Sequence, residues 1–208
     1  MDQVVEAKQT GWRGSAELWL DAAYDALVTG GIEAVRVKTL AASLGLSRTS
    51  FYHHFDSREA LLAALIDRWE RKNTGNLIAR TEGFAANVTE AVFNLFDCWI
   101  DPALFDARLD FAIRNWALAD PALKPVIDAA DRNRISAITA MFARFDYAPA
   151  QAETRAMTLY YTQIGYISMR IEESLETRAT RMPAYIETFT GRACAEADIA
   201  RFRARHAL

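Results

Sequence analysis

The chain has 208 residues, 51% of them hydrophobic and 25% charged, the balance of a soluble globular protein able to bury a sizeable core. A net charge of only -3 excludes coating nucleic acid by bulk electrostatics, so any DNA contact must come from a local basic patch. The N-terminal residues include acids and lack the apolar centre of a signal peptide, and later apolar runs are interrupted by charges; a cytoplasmic protein without a membrane span is expected.

Proline and glycine fall mostly between apolar runs of 3.6-residue spacing, so the chain reads as all-α. The first helix is expected from Ser15 to Thr29, with Leu20, Ala23, Tyr24 and Leu27 on one face and Gly30-Gly31 as its stop. Two short helices follow, Val37 to Leu44 and Arg48 to Phe55. Between them Gly45 can take the left-handed conformation, Leu46 plugs the turn and Ser47 can cap the next helix. Asp56-Ser57-Arg58-Glu59 reads as the capped start of a longer helix, which ends at an Asn73-Thr74-Gly75-Asn76 break. Later helices are expected at Phe84 to Ile100, Ala103 to Ala119, Pro121 to Phe145, Pro149 to Glu176 and Pro183 to the C-terminus, most of them opened by proline.

The helix at Arg48 to Phe55 carries the functional signal. Phe51 and Phe55 share one face, which must pack inward, and Thr49 and His53 then lie nearly opposite, flanked by Ser50 and Tyr52. Eight helical residues span about 12 Å, close to the major-groove width, and the first turn, with Arg48 and Ser50, is the end that usually points at bases. Between Arg36 and Arg58 there are four basic residues and one acid, Asp56. His53 and His54 are adjacent on a helix and point about 100° apart, so they do not suggest a shared metal ion. Cys98 and Cys194 form neither a zinc spacing nor a disulfide framework, and no metal or cofactor is expected.

The run Leu40-Ala41-x-x-Leu44-Gly45-Leu46-Ser47-Arg48-x-x-Phe51-Tyr52-x-His54-Phe55-x-x-Arg58-x-x-Leu61-Leu62 resembles the signature of the tetracycline-repressor (TetR) family. The resemblance implies a three-helix, helix-turn-helix DNA-binding domain over residues 11–58 and a helical effector-binding and dimerisation domain over 59–208. It implies base contacts from Arg48, Thr49, Ser50 and His53 and phosphate contacts from Tyr52, His54 and Arg58. Lys38 would add a base or phosphate contact. Arg36 stands where the family often has a Ser or Thr cap. Either the second helix is poorly capped, or Arg36 reaches a phosphate, the preferred reading because a lost cap costs only ~1 kcal/mol.

The remaining helices are rich in aromatics, which either fill the core or line an apolar effector pocket with a few polar groups. The pocket reading names Phe93, Phe96, Asp97, Trp99, Arg108, Phe111, Trp116, Tyr160 and Gln163 as ligand-binding. Against it, Arg108 or Arg114 with Asp97 or Asp110 could form a structural ion pair. The stretch Phe111-x-x-x-Asn115-Trp116-Ala117-x-x-Asp120-Pro121, with Pro149-x-x-x-Glu153-x-Arg155, also resembles the regulatory domain of a subset of the family.

The Pro149 helix carries two apolar stripes, one through Ala156, Tyr160, Ile164, Ile167 and Ile171 and one through Met157, Tyr161 and Ser168. With Met182, Tyr185, Ile186, Phe189 and Ala193 it could form a two-fold four-helix interface. The expected function is a homodimeric repressor that binds a double-stranded palindromic operator and is released by a small, largely apolar effector. The alternatives are an enzyme or small-molecule-binding protein that retains a helix-turn-helix, for which no catalytic fingerprint is present, and an architectural DNA protein.

Overall fold

The computed structural model describes residues 14–208, and the readings that fall on residues 1–13 lie outside it. Among the described residues the chain forms eleven α-helices and no strand, as the all-helical reading expects. It divides into two compact units, one ending at Leu65 and one spanning Ile66–Leu208.

The first unit contains α1 (Ala16–Gly30), α2 (Val37–Leu44), α3 (Arg48–Phe51) and the start of α4 (Arg58–Trp69). Ser15 caps α1 by accepting from the Leu18 amide at 3.2 Å, and the Gly31 amide closes the helix on the Leu27 carbonyl. Trp19, Leu27, Val35, Leu40, Phe51 and Leu61 are buried together as the core of this unit. Phe51 is central: its ring meets Trp19 edge-on at 5.3 Å and stacks on Phe55 at 5.7 Å. The helix expected from Arg48 to Phe55 keeps α-geometry only to Phe51. Beyond it His53 and His54 donate to carbonyls three residues back, which tightens the winding before Phe55 returns to the Phe51 carbonyl. The cap of α4 is Ser57, not Asp56, because the Ser57 hydroxyl accepts from the Ala60 amide at 3.1 Å.

The second unit contains the end of α4, then α5 (Asn76–Glu82), α6 (Val88–Ile100), α7 (Ala107–Ala119), α8 (Lys124–Ala143), α9 (Pro149–Ser168), α10 (Leu175–Thr190) and α11 (Glu196–Arg205). The expected break at residues 73–76 is instead a π-helical turn, Glu70–Gly75, that joins α4 to α5. Its polar residues are drawn inward. Asn73 donates to the Asp106 carbonyl and accepts from the Asp106 amide, Thr74 accepts from Arg134, and Asn76 donates to the Leu104 carbonyl.

Asp101-Pro102 and Asp120-Pro121 form single turns, each closed by the aspartate on an amide two residues on, and the helices start later, at Ala107 and Lys124. Likewise α6 starts at Val88, capped by Asn87, and not at Phe84. The long Pro149 helix stops at Ser168, where Arg170 takes a φ of 51° and the Ile171 amide reaches back to the Tyr166 carbonyl. Pro183 lies inside α10 and does not open a helix. Ala91, Phe93, Phe96, Ile138, Phe142, Leu159 and Ile186 lie in the main core, and α8 with α9 makes the most extensive helix pair.

Candidate nucleic-acid interface

The turn between α2 and α3 is built as its residues dictate. Gly45 takes φ 63°, ψ 26°, the left-handed conformation that glycine adopts without steric cost, and the Leu46 amide returns to the Ala41 carbonyl at 2.9 Å. Ser47 then caps α3, its hydroxyl accepting from the Ser50 amide at 3.1 Å. With Phe51 locked in the core, the position of every other side chain on α3 is set.

Arg48, Thr49, Tyr52 and His53 are exposed, and so is Lys38 on α2. These five form the candidate surface: two cations, and hydroxyl and imidazole groups able to donate to or accept from base edges and to donate to phosphates. The other expected contact residues are engaged elsewhere. Ser50 is only 5% exposed and faces the interior of the first unit. Arg58 donates through Nε to the Val35 carbonyl at 2.6 Å and through Nη2 to the Ile32 carbonyl at 2.9 Å; it braces the short 3-10 turn at Ile32–Ala34, adding a second donor to the Ile32 carbonyl, which already accepts from the Val35 amide. His54 is half-buried, and its Nε2 is enclosed with no partner among the described residues, so it is turned from solvent. Arg36 occupies the cap position of α2 without capping it and pairs with Glu33 at 3.2 Å, both side chains well exposed. That pair is weak enough at the surface for a phosphate to replace it.

The residues expected to bind a ligand do not converge on one cavity. Phe93 is buried against Phe202 at 4.8 Å, Phe96 against Trp99 and Phe189, and Trp116 is buried, while Arg108 is exposed. Phe111 is half-buried beneath the Arg170 guanidinium at 5.6 Å. Asp97 anchors the C-terminus, 2.8 Å from His206 Nε2 and 3.2 Å from Arg205. Of the nine, Phe96 and Gln163 line a cavity of about 10 Å³ between α6, α9 and α10.

Tyr160 belongs to a buried charged network that the sequence only hinted at. Asp110 accepts from Arg134 at 3.0 Å, Arg114 at 2.7 Å and the Trp69 indole at 2.8 Å, while Asp131 accepts from Arg114 and from the Tyr160 hydroxyl at 2.6 Å. Burial alone would raise the Asp110 pKa, but the two guanidinium groups outweigh it and hold the carboxylate below its ordinary range. Of the ion pairs weighed from the sequence, Arg114 with Asp110 is the one that forms. Cys98 and Cys194 are both free thiols, and burial raises the Cys98 pKa to about 12. Among the described residues no group of His, Cys, Asp and Glu could hold a metal ion, and no helix is long and apolar enough to cross a membrane.

Residues 20–65 match the family described as bacterial regulatory proteins, tetR family. No curated protein matches the chain. Among solved structures, Salmonella enterica GusR is similar with a TM-score of 0.62 and 20% identity, over 85% of this chain and 91% of that one. A transcriptional regulator from Pseudomonas aeruginosa PAO1 is similar with a TM-score of 0.64 and 17% identity, over 90% and 93%. A TetR-family regulator from Mesorhizobium loti MAFF303099 gives 0.57 and 15%, over 91% and 95%. At these identities the likeness is one of fold.

Proposed function

We propose that the chain, whose residues 20–65 match the tetR family, is a homodimeric transcriptional repressor that binds a palindromic operator and is released by a small-molecule effector. The observation that carries this reading is the rigid presentation of Arg48, Thr49, Tyr52 and His53 on one exposed stripe behind the Gly45–Ser47 turn, with Lys38 exposed on the preceding helix. Arg48, Thr49 and His53 read base edges, whereas Lys38 and Tyr52 hold phosphates. One such helix offers too few contacts to select a unique site, so two copies are needed.

The outer face of α9 and α10 supports a two-fold partner. Tyr161 is 52% exposed, and a surface groove of about 440 Å³ runs between α9 and α10, where Ala150, Thr154, Thr158 and Thr188 alternate with the larger Gln151, Arg155 and Phe189 and leave room for a partner's side chains. Footprinting of the purified full-length protein on its own genomic neighbourhood tests the function. A protected palindrome, lost on Arg48→Ala, is the expected result; protection without sequence preference would favour an architectural role instead.

A further inference from the structure

By residue type Arg58 suits a phosphate, yet its guanidinium is spent inside the first unit. It is half-buried, with Nε on the Val35 carbonyl at 2.6 Å and Nη2 on the Ile32 carbonyl at 2.9 Å. A guanidinium presents its donors in a rigid fork. Two nitrogens aimed at carbonyls three residues apart therefore leave little freedom to the side chain or to the turn it holds.

The backbone so held is the entry to α2. Val35 is fully buried, so its carbonyl has no water to turn to. The next residue, Arg36, is extended at φ -123°, ψ 130° and stands at the cap position of α2 without capping it. Lys38 follows in the first turn, and both cationic side chains are exposed. Glu33, within the same 3-10 turn, gives Arg36 its surface partner at 3.2 Å. Since no side chain caps α2, the bonds from Arg58, together with the amide bonds of the turn itself, fix the chain just before these two cations. The far end of α2 is fixed separately, by the left-handed Gly45 and the Leu46 amide on the Ala41 carbonyl.

We propose that Arg58 is a positioning residue of the DNA-binding surface: it sets Arg36 and Lys38 against the phosphate backbone and touches no phosphate itself. What matters is its fork, and not the charge that a lysine would share. Lysine can serve a phosphate as a point charge, but it cannot bridge two carbonyls in a fixed geometry. A charge-preserving change thus separates the two roles. The inference rests on the reading of the first unit as DNA-binding.

The test measures the affinity of the purified full-length protein for a duplex from its own genomic neighbourhood and for one of unrelated sequence. Low ionic strength keeps weakened variants measurable. Arg58→Lys should weaken both complexes by about fivefold or more. In a chain carrying Arg36→Ala and Lys38→Ala the same change should cost less than about twofold, because the contacts it acts through are already gone. Near-native affinity in Arg58→Lys, or an equal loss in the two backgrounds, would overturn the positioning role. Should Arg58→Lys not fold, the unaltered protein labelled at its arginine nitrogens still decides. The Arg58 Nε–H resonance should stay in place when duplex is added while that of Arg48 moves, and a shift as large as that of Arg48 would overturn the proposal. Failure of the native protein to bind either duplex would overturn the DNA-binding reading, and the proposal with it.

Discussion

Arg134 Nη1 lies 3.0 Å from Asp110 Oδ1, and neither side chain is exposed to solvent. The pair ties α8 to α7, and through the Trp69 indole and Thr74 hydroxyl it also ties both to the end of α4 and the π turn.

Removing one partner strands the other as a buried charge. Asp110→Ala should cost about 3 to 5 kcal/mol, whereas the double replacement Asp110→Leu with Arg134→Met should recover much of it; denaturant unfolding of the native protein and the two variants measures both. Because the folded pKa of Asp110 lies below the ordinary 3.8, its contribution is complete above that value and declines as pH falls through the lowered folded pKa. The melting temperature of the native protein should therefore drop more steeply below pH 3.8 than that of the double variant.

Arg58 and Lys38 separate stability from binding. Arg58→Ala removes two charged hydrogen bonds to backbone carbonyls and should destabilise the first unit by about 2 to 4 kcal/mol. Lys38→Ala should leave the melting temperature unchanged, weaken all DNA sequences alike and lower the salt slope of binding by about one. A shift in base preference on Lys38→Ala would show that it reads bases.

Thr49→Ala and His53→Ala should each change the preferred operator at its own position, costing about 1 to 3 kcal/mol on the original site. Ser50→Ala should not alter preference, since the side chain is buried. Sequence selection with each variant compares them directly.

For the subunit interface, Thr158→Arg and Tyr161→Glu should halve the sedimentation mass from twice 23.3 kDa towards 23.3 kDa and lower operator affinity in parallel. Charged changes at Tyr160 or Phe189 cannot make this test, because both side chains are buried within one chain and would unfold it. A monomer that bound its operator as tightly as the native protein would remove the two-fold arrangement.

The parts legible in the sequence are those decided within a few residues. The Gly45–Ser47 turn and α2 follow from a glycine, a plug and a hydroxyl in succession, and the structure reproduces them. Asp101-Pro102 and Asp120-Pro121 show the limit of such reading, because the same pair that opens a helix also closes a single turn, and tertiary bonds decide between them. Asn73 and Thr74 look like a break until partners 33 and 60 residues away supply their hydrogen bonds. No glycine or proline follows Ser168 to mark the end of α9, since Arg170 itself takes the left-handed conformation. The fates of Arg58, His54 and Ser50 were equally hidden: each suits a DNA surface by residue type, and only the packing of the first unit turns them inward. Trp19, absent from the expected inner face of α1, shows the same limit.

The π turn at Glu70–Gly75 has a consequence for the length of the chain. In a regular α-helix five residues advance about 500°, which would leave Thr74 about 140° around from Trp69, on a different side from the Asp110–Arg134 pair that both residues reach. The wider turn returns them towards one face. The wide turn therefore absorbs one residue beyond an ordinary helical repeat. With one residue fewer the two side chains would stand four apart, about 40° around an ordinary α-helix and still on one face, so a one-residue deletion there should keep both bonds, whereas a one-residue insertion would leave them about 240° apart in an ordinary helix and break one of them.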